Sequence, residues 1–183
     1  MEVNTKKGLL HPEILFPAIY DITPDFLREQ DVRGIVFDID NTIAPYEISE
    51  PTDAMKEYLF SLRDCGIQVA FVSNNRGGRV EVFNRSLGFP CFCKAKKPLP
   101  GGVKAAIRAF GLPKDQVLSI GDQLFTDCMS AHLAGIRFFI VPPIRDKKTL
   151  LFRVKRALEK PFLKSFRRYG DYAAEARKDP PCL

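Results

Sequence analysis

Ile35-Val36-Phe37-Asp38-Ile39-Asp40-Asn41-Thr42 is an apolar run that stops in two carboxylates two residues apart. A strand ending this way points its acids into the crevice at the carboxyl end of an open α/β sheet, where such folds bind ligands. Residues two apart on an extended chain lie on one side of it. Asp38 and Asp40 can therefore approach one ligand from adjacent positions. Taken alone, the same residues also read as a strand followed by an Asp/Asn turn, so the flanking sequence has to decide.

Outward from this stretch, short apolar runs alternate with helical patterns. The runs 34–37, 67–72, 89–93, 117–120 and 136–141 read as strands. Between the first two, Met55, Tyr58, Leu59 and Leu62 recur at i, i+3, i+4 and i+7, which predicts a helix over 51–65 stopped by Gly66. Val103, Ala106, Ile107 and Phe110 repeat that spacing and predict a helix over 102–110 before Gly111; shorter helices are expected over 79–87 and 125–134. Strands alternating with helices make βαβ units and a mostly parallel sheet covered on both faces, a Rossmann-like α/β fold. Residues 1–30, broken by Pro12 and Pro17, read as a short helical preface packed on the core; 31–145 as the catalytic domain; 146–170 as a basic amphipathic helical segment; and 171–183 as a frayed tail.

Composition fits one soluble domain. Of 183 residues, 45% are apolar and 27% charged, and no apolar run approaches a membrane span. With no signal-peptide pattern after Met1, a cytoplasmic protein is expected. The five cysteines are scattered, and Cys91-Phe-Cys93 lacks a second pair to make a zinc knuckle, so reduced structural thiols are expected. His11 and His132 do not form a ligand pair. The net charge of +6 is uneven: residues 145–168 hold ten Lys/Arg against two Asp/Glu, a local +8, which leaves −2 for all the rest. That asymmetry implies an anionic partner surface.

Four strand-end segments carry groups suited to phosphate chemistry: Asp38, Asp40 and Thr42; Ser73-Asn74-Asn75; Lys96-Lys97-Pro98; and Gly121-Asp122 through Asp127. In a parallel sheet these ends face one side. Each is commonplace alone: a turn, a solvated Lys-Pro, a strand-to-loop transition. Their order after successive strands makes the set specific. A phosphoryl group in transfer spreads negative charge over its oxygens, so catalysis is mostly positioning and charge stabilisation. A carboxylate can attack phosphorus only if its repulsion from phosphate is cancelled, as Mg²⁺ does when held by one or two carboxylates. Asp38 and Asp122 can supply them, Lys97 and Ser73 can bind the phosphoryl oxygens, and Asp40 is left as general acid/base.

With these four segments in this order, the chain resembles the phosphatases of the haloacid dehalogenase (HAD) superfamily over roughly residues 31–145. Asp38-Ile-Asp40-Asn-Thr42 is similar to the first family motif, Ser73 to the second, Lys97 to the third, and Gly121-Asp122 with Asp127 to the fourth. The resemblance implies Mg²⁺ and a covalent aspartyl-phosphate intermediate. Asp38 is then the nucleophile, and Asp40 the acid that protonates the leaving oxygen and the base that activates water. The Asp38 and Asp122 carboxylates and the Asp40 backbone carbonyl would hold the metal. Thr42, Ser73, Asn74 and Lys97 would bind the substrate phosphate, with Asp127 in support. Asp40 to Ser73 spans 33 positions and Ser73 to Lys97 spans 24, each filled by one helix and one strand. That leaves no room for a large cap domain, so an open site is expected, suited to a large substrate or to closure by a partner subunit.

Asp21-Ile-Thr-Pro-Asp-Phe-Leu27, Val72-Ser-Asn-Asn75 and Gly121-Asp-Gln-Leu-Phe-Thr-Asp127 resemble more narrowly the YqeG-like branch of subclass IIIA, which is similar to the phosphatidylglycerophosphate phosphatases. The reaction this implies is removal of the terminal phosphate of phosphatidylglycerophosphate, giving phosphatidylglycerol. Residues 147–168 give an independent hint: Leu150, Val154, Leu158, Phe162 and Phe166 recur every four positions among nine Lys/Arg. A basic amphipathic helix reads as a membrane-surface element, although its stripe could equally pack on the domain. Nucleic acid is not the expected partner, since no aromatic platform accompanies the charge. Three readings stay open: a phosphatase for a lipid head group, peripheral at the inner face of the membrane; the same chemistry on a soluble sugar phosphate or nucleotide; and a HAD-fold accessory module binding RNA or the ribosome. A homo-oligomer is compatible with each.

Overall fold

The computed structural model describes residues 8–145. Six strands form one sheet: β1 (Ile14–Leu15), β2 (Gly34–Phe37), β3 (Gln68–Val72), β4 (Cys91–Phe92), β5 (Val117–Gly121) and β6 (Arg137–Ile140). Their order across the sheet is β1-β6-β5-β2-β3-β4, and every pairing is parallel. Five helices connect them: α1 (Pro24–Glu29), α2 (Asp53–Asp64), α3 (Gly77–Asn84), α4 (Gly101–Phe110) and α5 (Met129–Ala134). The expected strand–helix alternation and parallel sheet are what the chain adopts.

Period-2 alternation divides the core. Ile35 and Phe37 of β2, Val69 and Phe71 of β3, and Leu118 and Ile120 of β5 point to one face, where Leu59 and Leu62 of α2 and Val80 and Phe83 of α3 cover them. Val36, Ala70 and Val72 point to the other, under Val103, Ala106, Ile107 and Phe110 of α4. All four residues of β2 are buried, as a central strand covered on both faces requires. Helix starts and stops follow local chemistry. The Thr52 hydroxyl accepts from Met55 N at 3.4 Å to cap α2, and α4 ends on Gly111 in the left-handed region at φ +65°.

Two elements depart from the sequence reading. The N-terminal preface is helical only from Ile19 onward. Before that, Ile14 and Leu15 pair with Phe139 and Ile140 and add an edge strand. Pro12 and Pro17 flank it, and an edge strand tolerates prolines that a central one would not. The helix expected over 125–134 begins as a π-helical turn, Leu124–Cys128, before α5. Four described cysteines are free thiols. Burial, then the neighbouring Cys93, pushes the Cys91 thiol up to about 12, which keeps it protonated. Among the described residues no helix is long and apolar enough to cross a membrane. The expected basic segment and tail, 146–183, and residues 1–7 lie outside the described residues.

Register sets the functional edge. Phe37 is level with Phe71 on one side and Ile120 on the other, and Asp38 N donates to Ile120 O at 3.0 Å. The next residues along, Asp38, Val72-Ser73 and Gly121-Asp122, therefore emerge together at the carboxyl end of the three central strands.

Candidate active site

Asp38 leaves β2 and the chain turns at once. Asn41 adopts φ +67° and its N–H donates to Ala44 O at 2.8 Å, a left-handed position that Asn tolerates better than most residues. The turn tucks Thr42 beneath the strand end, where its hydroxyl donates to Asp38 Oδ2 at 3.3 Å. Thr42 is 1% exposed and does not line the cavity above. The structure thus places Thr42, expected to contact the substrate phosphate, against the nucleophile candidate.

Lys97 bridges two carboxylates. Its Nζ lies 2.6 Å from Asp38 Oδ1 and 2.6 Å from Asp127 Oδ1, and donates to Val72 O at 2.9 Å. Asn74 fixes this lysine through its backbone. Asn74 Oδ1 accepts from Lys97 N at 2.6 Å, and Asn74 Nδ2 donates to Lys97 O at 3.0 Å. Both ends of the Asn74 amide thus clamp Lys97, and the residue also lines the cavity in which it is expected to meet the substrate phosphate. The Ser73 hydroxyl accepts from Asn75 N at 3.0 Å, which leaves its own proton available to a ligand.

Asp127 sits on the π-helical turn, with Gln123 N donating to its Oδ2 at 3.1 Å. Gly121 makes this approach possible. A Cβ there would fall 2.6 Å from Asp127 Cβ and 2.7 Å from its Oδ2. Ligand oxygens of Asp38, Asp122 and Asp127, all buried, lie within 4.8 Å of one another. This cluster unites the expected metal residues Asp38 and Asp122 with Asp127. An all-oxygen, all-carboxylate donor set of this size suits a hard divalent cation such as Mg²⁺.

The charge arithmetic explains why Lys97 is needed. Burial, together with Asp127 and Asp40, pushes Asp38 up to about 7 even though Lys97 acts against the shift. For Lys97, burial disfavours the charge, but Asp127 and Asp38 outweigh it and hold the ammonium above its ordinary range. Removing one partner of such a buried set costs about 3–5 kcal/mol.

The side chain of Asp40, the second acid, lines the same cavity as Asp38 and is held from two sides. Its Oδ1 accepts from Arg79 Nε at 2.8 Å and its Oδ2 from Asn75 Nδ2 at 3.4 Å. The sequence reading missed Arg79 and Tyr46, and held Asn75, Gln123 and Thr126 only as members of their segments without a role. No spacing rule links Arg79 to an aspartate 39 positions earlier. The cavity at this edge holds about 330 Å³ and is lined by Asp38, Asp40, Ser73, Asn74, Lys97 and Asp127 together with Asn41, Asn75, Tyr46, Gln123 and Thr126. Asp122 lies beneath it, fully buried. Such a site can hold a phosphoryl group between Ser73 and Lys97 against a carboxylate nucleophile.

Comparisons with known proteins agree. The haloacid dehalogenase-like hydrolase family matches residues 45–141. The chain is 33% identical over 164 residues to "Probable phosphatase YqeG" of Bacillus subtilis (strain 168), covering 90% of this chain and 95% of that protein. It is 24% identical over 174 residues to "Phosphatidylglycerophosphate phosphatase 1, chloroplastic/mitochondrial" of Arabidopsis thaliana; the match covers 87% of this chain and about half, 49%, of that protein. Among solved structures, the cobalt-bound deoxy-D-mannose-octulosonate 8-phosphate phosphatase of Haemophilus influenzae superposes with a TM-score of 0.51. That match is 14% identical, covers 74% of this chain and 89% of that one, and is a likeness of fold.

Proposed function

The chain belongs to the haloacid dehalogenase-like hydrolase family and is one of its phosphatases, and from that premise we propose that it is a Mg²⁺-dependent phosphomonoesterase acting through an aspartyl phosphate on Asp38, with phosphatidylglycerophosphate as substrate and phosphatidylglycerol as product. The observation that carries the reading is the junction at the strand ends: a buried Asp38 held by Lys97 on the floor of an open cavity, beside the carboxylates of Asp122 and Asp127.

The residues divide the work. Ser73 and Lys97 bind the phosphoryl oxygens, and Thr42 orients Asp38 so that one carboxylate oxygen faces phosphorus. Asp38 attacks, and the bond from phosphorus to the leaving oxygen breaks. Asp38, Asp122 and the Asp40 carbonyl would hold Mg²⁺, which when bound cancels charge between nucleophile and phosphate. Asp40 attends the leaving oxygen in the first step and a water in the second, whose attack frees Asp38 and inorganic phosphate.

Three features support a large, surface-bound substrate. Among the described residues nothing covers the cavity mouth. Exposed Tyr46, Leu99 and Ile144 lie in the loops after β2, β4 and β6, at the edge where the cavity opens. Arg76, Lys94 and Lys96 are exposed after β3 and β4 and pair with no carboxylate among the described residues. A peripheral position at the inner face of the membrane, in the cytoplasm, follows from this reading. A phosphate-release screen with Mg²⁺ across lipid, sugar and nucleotide phosphates tests it. Release from phosphatidylglycerophosphate well above the others is expected. Turnover confined to sugar phosphates or nucleotides would establish the soluble-substrate alternative, and no release from any would leave an accessory module binding RNA or the ribosome.

A further inference from the structure

Arg79 stands in the first turn of α3 and uses its guanidinium on three partners at once. Its Nε donates to Asp40 Oδ1 at 2.8 Å, Nη1 to Ile48 O at 2.8 Å and Nη2 to Pro45 O at 3.1 Å. The guanidinium carbon also lies 4.8 Å from the centre of the Tyr46 ring. The side chains of Arg79 and Asp40 are only 17% and 16% exposed. A planar fork with this many fixed partners has one geometry. It ties the loop 45–48, whose Tyr46 lines the cavity, to the carboxylate of Asp40.

Hydrogen-bond direction says which step Arg79 serves. A guanidinium N–H donates and never accepts, so Arg79 itself gives no proton to a leaving group. Both Asp40 oxygens face donors, Arg79 Nε on one and Asn75 Nδ2 on the other. In this arrangement Asp40 presents lone pairs to the cavity. That is the arrangement of the second half-reaction, in which Asp40 accepts.

We propose that Arg79 is a positioning residue that holds Asp40 as the acceptor for the hydrolytic water, so that it governs breakdown of the aspartyl phosphate more than its formation. The proposal rests on the aspartyl-phosphate reading. In the step concerned, water oxygen forms a bond to phosphorus and one water proton passes to Asp40. The bond between phosphorus and Asp38 Oδ breaks, its electron pair returns to the carboxylate, and inorganic phosphate leaves.

Labelled p-nitrophenyl phosphate with Mg²⁺ is the probe, because its leaving group departs without a donated proton and so isolates the second step. Protein-bound label is followed after acid quench and after a chase with unlabelled probe. In Arg79→Gln the label should leave about tenfold more slowly, the scale of a misplaced acid–base group. kcat should fall with it while kcat/KM stays within about threefold, because kcat/KM reports the first step. Arg79→Lys should recover part of the loss. Equal falls in kcat and kcat/KM with unchanged label decay, or no change at all, would overturn the proposal. If the Gln variant does not melt like the wild type, Arg79→Lys decides alone: its label must leave at least about twofold more slowly. Absence of label in the wild type during turnover, or its persistence in Asp38→Asn, would instead overturn the aspartyl-phosphate reading, and this proposal with it.

Discussion

Asp38, Lys97 and Asp127 form a chain of charge in which each member depends on the next, and Gly121 decides whether that chain closes. Overpacking a tight contact costs about 1–3 kcal/mol, and a Cβ at Gly121 would meet Asp127 well inside contact distance. Gly121→Ala should therefore push Asp127 off Lys97, lower the melting temperature and cut phosphatase activity by about tenfold or more, the usual consequence of a small displacement of a catalytic constellation. Wild-type activity in this variant would show that the Asp127 contact is dispensable. At this scale Asp38, Asp40 and Asp122 were legible in the sequence because each stands at the end of an apolar strand run, while Asp127, on the π-helical turn, was legible only as the last member of its segment. Thr42 and Asn74 were legible as members of the site but not in their partners. Short polar side chains choose between ligand and backbone according to the loop geometry, and sequence does not display that. Arg79 was not legible, since a long side chain reaches its target across two other elements.

Segments after the strands carry the precision of the site. The loop after β4 has Lys94 and Lys96 at positive φ, +50° and +55°, conformations that cost a non-glycine residue about 1 kcal/mol or more. The Asn74 clamp holds Lys97 against that loop. Asn74→Ala should free the segment, raise KM for a phosphomonoester and lower kcat by about ten- to a hundredfold, with a smaller loss of stability; steady-state kinetics beside thermal melting separates the two. Beyond the π-helical turn, α5 is tied to the N-terminal segment by the His132 Nδ1 contact with Leu9 O at 3.0 Å. Burial lowers the His132 proton affinity below the ordinary value of 6.5, with the Leu9 contact acting in the other direction. The unfolded chain then binds the proton more readily than the folded one, so this contribution to stability is present above pH 6.5 and is lost as the pH falls below it. Between pH 7 and 5 the melting temperature of the wild type should drop more than that of His132→Asn, which keeps a donor near Leu9; parallel profiles would contradict the assignment. Long periodic elements were legible: α2 and α4 lie within two residues of expectation at each end, because their apolar spacing is the packing itself. β1 was not, because Pro12 and Pro17 break the apolar run around Ile14 and Leu15. The π-helical turn was not, because no local residue pattern distinguishes it from the start of an ordinary helix.

The molecule as a whole is a sheet with one working edge. Parallel strands with flush ends gather the candidate catalytic groups there, and the loops after the same strands bear exposed apolar and basic residues. If that edge meets an anionic leaflet, residues 147–168 are expected to add to the attraction, at about 1 kcal/mol for each basic group near the surface. Reversing Lys155, Arg156, Lys160 and Lys164 to Glu should weaken association with anionic vesicles and slow hydrolysis of the lipid phosphate. Hydrolysis of p-nitrophenyl phosphate should stay unchanged, and salt should reproduce the selective loss in the wild type. Equal loss on both substrates would contradict a surface role. On the proposed reading, phosphorus passes through the carboxylate of Asp38. The most direct test quenches the enzyme during turnover with Mg²⁺ and a phosphomonoester, reduces any acyl phosphate with borohydride and maps the peptides by mass. Homoserine is expected at position 38, dependent on substrate, with aspartate intact at positions 40, 122 and 127. Modification at any other aspartate, or none while the enzyme releases phosphate, would contradict it.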